Sequence, residues 1–306
     1  MISQIKSEWR RAPAAHTLLH SAVMNKLLAL GLSLPLVACV IGSDAPESTP
    51  NNGGNGSNTG SGTGTGTGGG GNHIKTDTMW TGSVDVTSQT TVDAGAKLTI
   101  AAGTTVKFGP AGALVIIGSV DVQGTKAQVV NLVPATAGGH FGATAVEAGG
   151  QLTMSYAVQT GGGIRVDGGT LTVTDTRMSQ AEGDFLVVGD GKVDVSYSAI
   201  GLEPNGGADS THCDMHFGGS GATIKVTHSN ISTSSYGLML YGGNNVDLTS
   251  NNWFNNPIQI DTTAGVSADI SGGWFDKGAP SAGGGATLTY NSPSANRLPA
   301  GMAGPR

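Results

Sequence analysis

The feature that most constrains this chain is a short frame repeated along it. Six segments, beginning at Leu152, Leu171, Val193, Ile224, Val246 and Ala268, each read apolar–x–apolar, as in Leu171-Thr172-Val173 and Ile224-Lys225-Val226. In five of them an apolar residue returns seven positions after the first, at Met178, Ile200, Ile231, Trp253 and Phe275; in the first segment it slips by one, to Val158. The intervals between segments are 19, 22, 31, 22 and 22 residues, and small or turn-forming residues such as Gly168-Gly169 and Asn244-Asn245 precede each one. A strand this short cannot bury a face alone. Stacked as coils of a solenoid, such strands share one continuous core.

Composition agrees with an all-β chain. Of 306 residues 51 are glycine and only 12% are charged, with no Gly-X-Y period that would indicate collagen. Upstream of the frame, Val84/Val86, Leu98/Ile100, Val106/Phe108, Leu114/Ile116 and Val120/Val122 are further period-2 alternations, and Leu288 adds a turn downstream. An antiparallel sandwich gives no reason for coils of matched length, and a propeller blade needs about 40 residues. The stretch GAKLTIAAGTTVKFGPAGALVIIGSVDVQGT, Gly95–Thr125, resembles the opening coils of bacterial right-handed parallel β-helix repeat proteins of the pectate-lyase-like superfold. The resemblance implies a right-handed parallel β-helix of roughly 19–22 residues per coil over residues 74–291, and it implies no particular activity. The Pro-, Ala- and Gly-rich stretch 292–306 is expected to fray as a disordered tail.

The N-terminal part reads as an address. Residues 27–38, LLALGLSLPLVA, are too short to span a bilayer, which takes about 20 residues, and suit a signal-peptide core flanked by Lys26. Met24 is a possible true start. The core runs into Leu36-Val37-Ala38-Cys39, which resembles the bacterial lipobox. That resemblance implies a signal peptide over residues 1–38, cleavage before Cys39 and acylation of Cys39. It also implies anchoring of the chain in the cell envelope, with Val40 favouring the outer membrane of a Gram-negative bacterium. Residues 39–73 then form a flexible linker, built between Ser48 and Asn72 from Ser, Thr, Pro, Asn and Gly alone.

Charge excludes one class of partner. Residues 1–38 carry a net charge of +3 and the rest of the chain −9, so the body lacks the basic footprint of a nucleic-acid binder. The expected partners are the membrane through the lipid, and a polysaccharide or an envelope protein through the body.

Enzymes of this superfold need paired carboxylates, or an Arg or Lys base beside Ca²⁺-binding carboxylates. No Asn-Thr-Asp, Asp-Asp or Arg-x-Lys motif is present, so the leading expectation is a non-catalytic structural or binding module. A polysaccharide-acting lyase or hydrolase with a site near Asp214 is the alternative. Two sets of residues are candidates for contacts. The middle positions of the frame, Thr153, Thr172, Asp194, Lys225, Asp247 and Asp269, should form one outward column, in which Asp247 and Asp269 could touch carbohydrate or Ca²⁺. The 31-residue interval holds His212-Cys213-Asp214-Met215-His216-Phe217. Strand alternation would turn Cys213, Met215 and Phe217 inward and His212, Asp214 and His216 outward, a donor set that divalent transition metals accept. Late aromatics also stand in matching coils: Trp253 and Phe275 at core-return positions, with Phe254 and Trp274 as their neighbours.

Overall fold

The computed structural model describes residues 72–202, 209 and 211–306. Cys39, the apolar run 27–38 and the Gly/Thr-rich stretch up to residue 71 lie outside the described residues. The body is a right-handed parallel β-helix of about ten turns. Its strands form one sheet of seventeen and one of nine. A regular coil gives two strands to the larger sheet and one to the smaller, as with Gln89–Val92, Lys97–Ile100 and Thr105–Phe108. The strands Ile164–Thr174 and Leu186–Ser196 are long enough to run through both positions of the larger sheet.

The repeated frame sets the register. Leu152, Leu171, Val193 and Ile224 are successive ladder partners, and Val246 pairs with Ala268. On the smaller sheet Met178, Ile200, Ile231, Trp253 and Phe275 form the return column. All are buried, so each coil seals the next, and each large apolar side chain contributes roughly 1.5–3 kcal/mol of burial. Trp253 and Phe275 stack with centroids 5.6 Å apart and planes 5° from parallel.

The apparent slip at Val158 has a different cause. Val158 pairs with Arg177, and the partner of Met178 is Gln159, which is fully buried. The Gln159 amide nitrogen donates to the carbonyls of Gly162 and Gly163 at 2.8 and 3.3 Å. The column therefore keeps its register and carries one polar side chain that satisfies a turn.

The turn between the two sheets repeats a left-handed residue. Tyr156, Asp175, Tyr197, His228 and Ser250 all have positive φ, from 44° to 59°. The chain can bend there in so few residues because the next side chain points inward and ties the turn to its neighbour. The Ser198 hydroxyl accepts from the Thr176 N–H, Ser229 Oγ accepts from the Ser198 N–H, and Asn251 Oδ1 accepts from the Ser229 N–H at 2.8 Å. Asn256 is buried in the same way and accepts from the Ser234 N–H at 3.1 Å, whereas Asn255 is exposed.

Residues 292–306 do not fray. They run back across the coils beside this turn. The Ser294 N–H donates to the Gly273 carbonyl, the Leu298 N–H to Asn252 Oδ1, and the Gly304 N–H to the His228 carbonyl. Arg306 ends on Asp175, and Arg297 lies 4.0 Å over the Phe254 ring. Composition suggested disorder because Pro, Ala and Gly offer little to bury. The stretch is held instead by backbone donors and two guanidinium groups, which composition does not weigh.

Candidate functional site

The long interval sits at one corner of the stack. From Ile164 to its partner Leu186 is 22 residues, and from Leu186 to its partner Met215 is 29, so most of the excess falls ahead of the strand Cys213–Phe217. That strand resumes parallel pairing with Leu186–Ser196 on one side and Tyr236–Leu240 on the other.

Strict alternation fails at Asp214. Four successive coils place two consecutive residues on the buried side at this corner: Phe185-Leu186, Asp214-Met215, Gly237-Leu238 and Gln259-Ile260. Asp214 is consequently 0% exposed. Its Oδ1 accepts a hydrogen bond from the Ser234 hydroxyl, and its Oδ2 is buried without a partner among the described residues. Burial holds this carboxyl well above the usual carboxylate range; the bonds from Ser234 and the Ser232 N–H oppose the rise, and nearby Asp209 adds to it. Asp214 thus departs from the predicted trio with His212 and His216, and its side chain is closed to a sugar in solvent. Burial of Met215 and Phe217 follows the expectation; Cys213 is also buried, but its thiol turns toward the histidines.

The carboxylate that joins the histidines is Asp184, one coil earlier. His212 Nδ1 lies 2.9 Å from Asp184 Oδ1 and His216 Nδ1 2.8 Å from Asp184 Oδ2, while the Cys213 thiol hydrogen-bonds the same group. The backbone sets this meeting: the Phe185 N–H donates to the Cys213 carbonyl, and the His212 N–H to the Gly183 carbonyl. Burial works to raise the Asp184 pKa, but the bonds from His216, Cys213 and His212 outweigh it and hold the carboxyl well below its ordinary range. Ligand atoms of Asp184, His212 and Cys213 all lie within 4.8 Å of one another.

Aromatic rings border the cluster. Tyr236 lies tilted against His212, and Tyr241 meets His216 edge-on at 5.5 Å. The Tyr241 hydroxyl donates to Asp261 Oδ2 at 2.6 Å; burial and that carboxylate both push the phenol pKa upward. Asp184 was missed in the sequence because it stands 28 residues before His212, in a segment with no repeated frame of its own. The regular spacing gave no signal for it: only the pairing of Leu186 with Met215, across 29 residues, sets residue 184 on the rung of residue 213.

The other predicted column is in register: Thr153, Thr172, Asp194, Lys225, Asp247 and Asp269 follow one another across the larger sheet. Asp247 and Asp269 stand on adjacent rungs, and one oxygen of each is taken up locally. Asp247 accepts from the Thr249 N–H and hydroxyl, and Asp269 from the Ser271 N–H, each capping its own turn. Phe254 and Trp274 face each other at 6.3 Å and Arg297 covers the former, so this pair is packing rather than an open sugar platform.

No family model matches this chain, and neither a curated protein nor a solved structure matches it. The functional reading of the body therefore rests on the β-helix architecture and the site geometry.

Proposed function

We propose that this chain is a lipid-anchored envelope protein, acylated at Cys39, whose β-helix presents a binding or structural surface to a polysaccharide or envelope-protein partner. The observation that carries the binding reading is the coincidence of the longest interval with a cluster of polar and aromatic side chains, Asp184, His212, His216, Tyr236 and Tyr241. Regular stacking needs no such insertion, and loops that leave a solenoid commonly form its contact face. Rings and carboxylates side by side suit a polar, hydroxyl-rich partner. An enzyme with Asp214 as acid or base is disfavoured, because a fully buried carboxyl cannot approach a glycosidic bond.

The lipobox-like Leu36–Cys39 supports the anchor, and the linker that follows gives the body reach from a membrane. Replacing Cys39 with Ser should abolish palmitate labelling and move the protein from the detergent phase to the soluble fraction. Retention of the variant in membranes would overturn the lipoprotein assignment.

A further inference from the structure

The geometry points to a transition-metal site on the outer face of the solenoid, made by the Asp184 carboxylate, the His212 imidazole and the Cys213 thiolate, with Zn²⁺ as the fitting ion. It is independent of how the chain reaches a membrane.

The donor set fits that ion in type, distance and charge. Zn²⁺ takes sulfur at about 2.3 Å and nitrogen or oxygen at about 2.0–2.2 Å, so tetrahedral donors sit roughly 3.3–3.7 Å apart. The three donors here already lie within 4.8 Å of one another, and His212 Nδ1 and Asp184 Oδ1 are at 2.9 Å. Small side-chain rotations close the remainder. One carboxylate and one thiolate offset the two positive charges of the ion, which matters beside a sulfur that is 0% exposed. Thiolate and imidazole favour Zn²⁺ over the hard ions Ca²⁺ and Mg²⁺, which take oxygen ligands.

His216 has a positioning part. It holds the second oxygen of Asp184 at 2.8 Å, which fixes the carboxylate and turns the first oxygen toward His212. Ligating carboxylates are themselves commonly hydrogen-bonded in this way. Three protein ligands leave one tetrahedral position open, on the side where His212 is exposed. A reactive-thiol reading fits less well: Cys213 is fully buried, and a nucleophilic thiol needs access.

The test uses the full chain carrying Cys39→Ser, so that Cys213 is its only thiol. Titration with Zn²⁺ followed by calorimetry should show one tight equivalent that excess Ca²⁺ or Mg²⁺ does not displace. Titration with Co²⁺ should give the visible bands of a tetrahedral ion and a thiolate-to-metal charge-transfer band. Cys213→Ser should remove the charge-transfer band. His212→Ala should weaken Zn²⁺ at least about tenfold, the scale on which even outer partners of a metal act. His212 is exposed, so that variant keeps the test valid if Cys213→Ser does not fold. His216→Ala should weaken binding yet keep the band. Absence of a stoichiometric site, or binding that His212→Ala and Cys213→Ser leave unchanged, would overturn the proposal. The soluble or membrane-bound state of the Cys39→Ser chain does not enter these readouts.

Discussion

Arg306 and Asp175, 131 residues apart in the sequence, are joined by a two-pronged contact: Arg306 Nε reaches Asp175 Oδ1 at 2.9 Å and Nη2 reaches Oδ2 at 2.8 Å. The same guanidinium lies 3.9 Å over the Tyr197 ring, and the Arg306 N–H adds a third bond to Asp175. Asp175 and Tyr197 both belong to the left-handed turn column, so the returning segment clasps the residues that bend the coil.

Asp175→Asn should loosen this clasp without disturbing the turn, because Asn tolerates the left-handed conformation. Losing a charged acceptor weakens such a contact by roughly 1–3 kcal/mol. Faster hydrogen exchange at Gly304 and faster tryptic cleavage at Arg297 should follow, with the melting temperature of the coils little changed. The contact should also respond to acid. Burial favours protonation of Asp175, but the Arg306 bonds outweigh it and lower its pKa. A carboxyl lowered on folding contributes stability above its unfolded pKa, near 3.9, and loses it as pH falls through the folded value. Protection of Gly304 should therefore be flat from about pH 7 to 5 and decline only below about 3.9. A decline centred near neutrality would show that another group governs docking.

Val246→Asp should open the late coils. Val246 is buried in the frame and pairs with Ala268, so the new carboxylate enters an apolar stack with no partner. An unpaired buried charge of this kind destabilises by roughly 3–5 kcal/mol. Coupling in a solenoid is between neighbours, so exchange should rise first over residues 246–289 and later over the early coils. An unaltered melt would refute the frame.

Gln159→Met tests the polar member of the return column. It restores the apolar pattern, yet it strips the Gly162 carbonyl of its side-chain donor, while the Gly163 carbonyl keeps the Thr144 N–H. Stability should fall by about 1–3 kcal/mol, the cost of leaving a buried acceptor unsatisfied. A higher melting temperature would mean that the amide is tolerated there rather than needed.

The columns were legible where side-chain size alone decided burial. Leu152, Leu171, Val193 and Ile224, and the ring pair Trp253 and Phe275, stand where the spacing put them. The reading failed where a polar side chain took an inward position. Gln159 in the return column and Asp214 at a corner both occupy interior sites, and a rule that sends polar residues outward misplaces each of them. Asp184 could not be found by pattern, because its role depends on which coil lies beside it. The segment 292–306 was misjudged because its attachment comes from backbone donors and two arginines spread over distant coils.

Parallel pairing resumes on both flanks of the long interval, with Lys192 through Ser196 matched to Thr223 through Thr227 as regularly as in any other coil. The stack takes up the extra length ahead of His212 and still pins its end: the Gln180 N–H donates to Asp209 Oδ1, the Ala181 N–H to Thr211 Oγ1 and the Asp209 N–H to the Thr233 carbonyl. The neighbouring rungs keep their pairing on both sides. A one-residue shift is absorbed within the stack as well: the register slips between Thr223 and Lys225, and Asp247 still pairs with Asp269. Length added at a corner thus stays at that corner, and the ten-turn scaffold carries it without loss of pairing on either side.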